Sequence, residues 1–245
     1  MKVYLTLFVA ISIISCKNEV KSVPSAQQFV DEAITVSGGE NYKNKQTSFL
    51  FRGMRYRYSY ESGKPRLERE QQDDDLVIID ILYNNVLKRY VNDSLITVPD
   101  SMAVKYANSV NSVHYFSRLP YGLNDQAVRK KFLGEVVIAN KTYDKVRITF
   151  SEENGGEDFE DVFLYWFNKE TQKPDFLAYE YQTEGGGQRF RKAFNERYVN
   201  GIRFVDYLNF KPKVKGTNFE KIDSLYVNDG LELLSEIKLE EIEVR

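Results

Sequence analysis

Cys16 is the only cysteine of this 245-residue chain, and it ends the run Ile13, Ile14, Ser15, Cys16. Lys2 stands before an apolar stretch reaching from Val3 to Ile14. A short basic start, a hydrophobic stretch of about a dozen residues and a small residue before cysteine form a lipoprotein export signal. Cleavage ahead of Cys16 would free its amino group, and acyl chains would then be attached to that nitrogen and to the sulfur. Two or more such chains hold a protein firmly on a bilayer, whereas one binds marginally. The apolar stretch is itself too short to span, which takes roughly 20 residues. A lone cysteine also forms no intrachain disulfide. The expected organisation is a signal over 1–15, a polar tether over 16–23 and a single β-rich domain over 24–245.

Other reactive residue types are sparse. His114 is the sole histidine and has no neighbouring cysteine, no GxSxG serine and no HExxH spacing. As an acid–base group it would need a partner such as Asp161 or Asp206; as structure, it is a buried ring with its hydrogen bonds met. Glu157, Asp158, Glu160 and Asp161 follow a glycine pair. They do not match the spacing of a calcium loop, so a solvated acidic hairpin is expected and no metal site. Gly185, Gly186 and Gly187 lack the GK[ST] ending of a phosphate loop. Arg189 and Arg191 alternate with Phe190, so the two guanidiniums share one strand face. There they could meet a carboxylate or a lipid headgroup, or serve as salt-bridged strand residues.

The elements that would carry these groups are mostly strands. With 17 Tyr, 16 Phe and one Trp, the chain favours half-buried pleated surfaces. Met54, Tyr56, Tyr58 and Tyr60 alternate with Arg55, Arg57 and Ser59, which is the period of a strand with one apolar face. Similar runs recur around residues 76–82, 88–98, 135–139, 146–150, 162–167, 176–181, 189–194 and 202–207, and the C-terminal end alternates acid with aliphatic. Two helices are expected, one after Pro24 over Phe29, Val30, Ala33 and Ile34, the other after Pro99 over Met102, Ala103, Tyr106, Ala107 and Val110. A further helical turn is expected from Asn124 and Asp125 toward Gly134. Some nine to eleven strands with short turns and no strand–helix repeat predict a mainly β fold, a single curled antiparallel sheet with helices across its concave side. Tyr56, Tyr58, His114, Phe163, Tyr165, Phe204 and Asp206, with Arg189 and Arg191, are the candidate lining of that concavity. The aromatic members could equally fill an ordinary core. A net charge of −2 excludes a broad nucleic-acid surface.

Several segments resemble an uncharacterised family of Bacteroidota lipoproteins: YANSVNSVHYFSRLP (106–120), KFLGEVVIANKTYDKVRITF (131–150), GGEDFEDVFLYW (155–166), FLAYEYQTEGGGQRFR (176–191) and GIRFVDYLNF (201–210). The resemblance covers roughly residues 24–215. Relatives often carry histidine in the acidic loop where this chain has Phe159, which argues against a shared metal site. More distantly, the order of elements is similar to the outer-membrane lipoprotein carriers LolA and LolB. That similarity implies an open half-barrel whose helical lid receives acyl chains.

The expected function is therefore a lipid-anchored protein of the outer membrane, on its periplasmic or surface side. It would reversibly sequester a hydrophobic or amphipathic ligand, lipid or lipoprotein acyl chains among them. The alternative is a structural or interaction lipoprotein with a filled core. No enzyme activity, cofactor or nucleic-acid partner is expected, and the sequence leaves the oligomeric state open. Mass spectrometry of the protein extracted from its native membrane should find residue 16 at the mature amino terminus carrying acyl chains, and Cys16→Ser should abolish them. An unmodified Cys16 in the aqueous fraction would overturn the anchor.

Overall fold

The computed structural model describes residues 25–153, 159–182 and 185–245; Cys16, Glu157, Asp158 and the signal and tether lie outside them. Helix α1 (Ala26–Ser37) starts on a reciprocal cap. The Ser25 hydroxyl accepts from the Gln28 N–H, and the Gln28 side chain accepts from the Ser25 N–H at 2.7 Å. Its Phe29, Val30 and Ala33 face the core as the sequence pattern requires. A single turn α2 (Asn41–Asn44) leads into the strands.

Strands β1 (Thr47–Phe51), β2 (Met54–Glu61), β3 (Lys64–Asp73), β4 (Leu76–Tyr83), β5 (Val86–Val91) and β6 (Ser94–Ile96) form a meander. Helix α3 (Asp100–Ser117) and a 3-10 turn (Tyr121–Asn124) follow. The second meander contains β7 (Val128–Ile138), β8 (Lys141–Phe150), β9 (Val162–Asn168), β10 (Pro174–Tyr181), β11 (Gly187–Val199), β12 (Ile202–Pro212) and β13 (Leu231–Ile237). Between β12 and β13 lie a 3-10 turn (Phe219–Lys221) and helix α4 (Ile222–Val227). The last strand, β14 (Glu240–Val244), pairs with β1 and not with β13.

The fold is thus mainly β, antiparallel and open. It differs from the expected single sheet in being split into two seven-stranded sheets. The split falls at Lys238 and Leu239, where the chain leaves β13 for β14. The sequence shows only continuous alternation there, because both strands are half-buried with the same period. The helical turn expected toward Gly134 is also absent. β7 already begins at Val128, and Gly134 sits at a register shift with a φ of 111°, a backbone bend suited to glycine.

Both faces of the second sheet are covered. Tyr165, Phe167 and Leu177 point into a core shared with Phe49, Phe51 and Tyr56 of the first sheet and with α1. Leu164, Trp166, Phe176, Ala178 and Phe190 point the other way, into a second cluster closed by Ile222 and the Tyr226 ring, which stacks on Phe190 at 4.8 Å. Burying each such large side chain contributes about 2–3 kcal/mol. The α4 cover is fixed by a buried ion pair: Lys145 donates to Asp223 at 2.7 Å and to the Glu220 carbonyl, and the Trp166 indole N–H donates to the same carboxylate.

Removing one member of a buried pair strands the other charge, at about 3–5 kcal/mol. Asp223→Asn should lower the unfolding free energy in urea by an amount of that order. A loss under about 1 kcal/mol, the size of a surface pair, would show that α4 is held by its apolar contacts alone.

Candidate functional site

The interior between the sheets is built from two facing surfaces. On the first sheet, Phe49 pairs across strands with Tyr56, Tyr56 with Arg69, Arg69 with Asp80 and Asp80 with Arg89. These side chains share one face, and α3 lies over β3, β4 and β5 on that side. Asp80, a lone charge in an apolar strand, accepts from Arg69 at 2.6 Å and from Arg89 at 2.7 Å. Burial alone would raise its pKa, but the hydrogen bonds from Arg89 and Arg69 outweigh it and hold the carboxyl below its ordinary value. Arg69 also donates to Ser109 at 2.8 Å, and the Arg89 guanidinium lies 3.6 Å from the Tyr106 ring centre. The bonded anchors of α3 at Ser109 and His114 therefore run to the first sheet.

His114 belongs to this anchor. Its Nε2 lies 3.0 Å from the Glu68 carbonyl, so it carries the proton there, and its ring sits among Phe49, Tyr56 and Tyr58 at 5.5–6.3 Å. Nδ1 is buried without a hydrogen-bond partner among the described residues. Burial, helped by the nearby Arg118 charge, lowers its pKa to about 3. The ring is neutral at physiological pH.

On the second sheet the inner face reads in rows. Ile148 pairs with Phe163, Phe163 with Tyr179 and Tyr179 with Arg189; Val146 pairs with Tyr165, Tyr165 with Leu177, Leu177 with Arg191 and Arg191 with Asn209. Phe163, Tyr165, Arg189 and Arg191 consequently lie on one surface. Arg191 donates to the Tyr179 hydroxyl at 3.1 Å and lies 5.0 Å from that ring and 5.7 Å from Phe116 of α3. Arg189 binds its neighbour's carbonyl and lies over Tyr181.

The candidate residues thus fall into three places. Tyr56, Tyr58 and His114 are together under α3, and Phe163, Tyr165, Arg189 and Arg191 are together on the second sheet. Phe204 and Asp206 are buried on β12, where Asp206 accepts from Arg197, Asn195 and the Leu239 N–H. His114 and Asp206 have separate partners and form no acid–base pair. Tyr56, Tyr58, His114, Tyr165, Phe204 and Asp206 are buried, while Phe163, Arg189 and Arg191 are half-buried. Sequence reasoning missed Tyr115, Tyr179 and Asn209, which complete the second surface, and the Arg69, Asp80, Arg89 group. The isolated Asp80 in LVIIDILY was the available signal. A separate groove of about 570 Å³ lies on the first sheet's outer face among Arg55, Arg57, Arg66 and Glu68. It is polar and ion-paired, with Arg57 on Glu70 at 2.7 Å. Among the described residues no group of acids, histidines or cysteines could hold a metal ion, and no helix is long and apolar enough to cross a membrane.

A protein-family model spans residues 4–241 of this chain. The chain belongs to the family of unknown function DUF6503. No curated protein matches it. Among solved structures, this DUF6503 member is similar to a LolA superfamily protein from Nitrosomonas europaea, with a TM-score of 0.53 at 11% identity over 91% of this chain and 94% of that one. A DUF1329 family protein from Desulfovibrio piger gives a TM-score of 0.48 at 8% identity, covering 90% and 93% of the two chains. The first similarity shows a LolA-like fold.

The neutral, buried His114 has a measurable consequence. Its folded pKa of about 3 lies below the ordinary value of 6.5. Between those values the unfolded chain binds a proton that the folded one does not. Stability therefore falls as pH drops through that window, by at most about 1.4 kcal/mol per unit. Melting temperatures of the wild type should decline from pH 6.5 downward, and His114→Gln should flatten that decline. An unchanged slope in the variant would show that His114 is protonated when folded.

Proposed function

We propose that this protein is a lipid-anchored binding protein of the cell envelope, held by acyl chains on Cys16, that takes a hydrophobic or amphipathic molecule between its two sheets. The observation that carries this reading is the asymmetric seating of α3. The chain between the two open sheet edges, β6 and β7, is α3 and the 3-10 turn after it. The helix is hydrogen-bonded to the first sheet at Ser109 and His114; its last turn reaches the second sheet through the Tyr115 hydroxyl at Tyr165 and the Phe116 ring over Arg191, Phe116 also packing on Phe51 of β1 at 5.3 Å. Movement of α3 with the first sheet would part it from Phe163, Tyr165, Leu177 and Tyr179 and offer that surface to an apolar chain. Each ligand CH₂ buried there would contribute about 0.8 kcal/mol. The LolA-like fold supports a carrier, with lipid or lipoprotein acyl chains as cargo. No catalytic step is assigned to it.

A second reading has its own support. The interior rings are buried as the structure stands, and Val86 and Leu95, on the outer face and edge of the first sheet, are 57% and 61% exposed. These would suit an interaction lipoprotein that docks a partner and holds no small ligand.

Titration with the neutral fluorophore N-phenylnaphthylamine separates the two. Saturable binding is expected, and Phe163→Ala, which removes one half-buried ring from the inner face, should weaken it about tenfold, equivalent to about 1.4 kcal/mol. Binding that is absent, or insensitive to Phe163→Ala, would favour the docking reading.

A further inference from the structure

The inner surface of the second sheet contains a set of buried polar atoms whose hydrogen-bonding capacity is only partly used. Among the described residues, Arg191 Nε and Asn209 Oδ1 are buried without a hydrogen-bond partner, and the buried Tyr165 and Tyr115 hydroxyls have only one another. They are neighbours. Arg191 and Asn209 face each other across β11 and β12, Tyr165 lies in the same cross-strand row, and the Tyr115 hydroxyl of α3 meets the Tyr165 hydroxyl in a side-chain hydrogen bond. Phe116, next to Tyr115 on α3, covers the Arg191 guanidinium.

The set is rich in donors. Burial raises both phenol pKa values, so each keeps its proton and can donate. Arg191 is cationic and, among the described residues, has no carboxylate partner; its bonded neighbour is the Tyr179 hydroxyl. This is unlike Arg69, Arg89, Arg197 and Arg203, which each bind an acid. Buried polar groups in folded proteins are ordinarily paired, and a cation with an unpaired N–H, beside two phenols that bond only each other, is what an anion would satisfy. Its flanks, Phe163, Leu177 and Tyr179, are apolar.

We infer that Arg191, Tyr165 and Tyr115 form a subsite for the anionic head, carboxylate or phosphate, of an amphiphile whose chain lies along the inner face of the second sheet. The inference rests on the binding function proposed above and adds the class of ligand. Asn209 supplies an acceptor beside the cation for a protonated oxygen of the head. The last turn of α3 is both cover and contributor, because Tyr115 reaches the site from it.

Chain-matched pairs test the subsite. The purified folded protein is titrated with palmitic acid against hexadecanol, and with lysophosphatidic acid against the monoacylglycerol of the same chain. The wild type should bind one acid about tenfold more tightly than its neutral partner, as a charge-assisted hydrogen bond allows. Whichever pair shows the gap identifies carboxylate or phosphate. Arg191→Gln should close the gap while hexadecanol or monoacylglycerol binding persists, and Arg191→Lys should restore part of it. If Arg191→Gln melts too early to titrate, Tyr165→Phe, which removes one oxygen, should narrow the same gap. A gap unchanged in these variants, or no gap in the wild type with both members bound, would overturn the subsite alone. No binding of either acid or neutral lipid would overturn the proposed function and the subsite with it.

Discussion

The chain passes from the second sheet to the first across two residues, Lys238 and Leu239, and that short crossing fixes how the sheets can sit. The Asp206 carboxylate holds it. One oxygen accepts from the Leu239 N–H at 3.1 Å and from Arg197, and the other accepts from Asn195. Arg197 in turn donates to the Leu239 carbonyl at 2.6 Å. The carboxylate is buried and fully paired, the condition under which a buried charge is tolerated. Around it, Asn200 donates to the Val244 carbonyl and Lys45 donates to the Asn200 carbonyl, binding the tip of the β11–β12 hairpin to the last strand and the approach to β1. With the sheets joined at the end strands β13 and β14, the opposite end strands, β6 and β7, lie at the far ends of the two meanders. The connection between those edges has to carry the chain from one sheet to the other, and it is α3 that does so.

That geometry makes the two sheets unequal. The first is coupled to α3 by charge: Asp80 collects Arg69 and Arg89, and these reach Ser109 and Tyr106. The second is sandwiched, with α4 fixed on its outer face by Lys145 and Asp223 and the shared aromatic core on its inner face. The proposed ligand entry asks the doubly covered second sheet to part from a helix hydrogen-bonded to the opposite sheet. The partly satisfied polar atoms of Tyr115, Tyr165, Arg191 and Asn209 lie between that helix and the second sheet.

Much of this was legible in the residues. The alternation of Met54, Tyr56, Tyr58 and Tyr60 with Arg55, Arg57 and Ser59 gave the inner and outer faces of β2 directly. The alternation of Arg189 and Arg191 around Phe190 placed both guanidiniums on one face, opposite Phe190 in the α4 cluster. What could not be read was whatever depends on contacts distant in sequence. The C-terminal alternation through Ile237, Leu239, Ile242 and Val244 is the same whether one strand or two is present, so the sheet boundary is invisible. Helix α4 has six residues, too few to show a helical period, so the cover it gives the outer face of the second sheet was not foreseen. Asp206 was a candidate as an acid–base partner for His114. Its partners, Arg197 and the Leu239 backbone, are set by the fold.

Photolabelling reports most directly whether the inner face of the second sheet takes an apolar chain. A long-chain alcohol with a diazirine in its tail would be bound to the full protein, irradiated, and the labelled peptides mapped. The account predicts labels on Phe163, Tyr165, Leu177 and Tyr179 and on the last turns of α3, competed away by unlabelled alcohol. Labels confined to Ile79, Ile81, Val86 and Leu95 on the outer side of the first sheet, or none that unlabelled alcohol displaces, would contradict it.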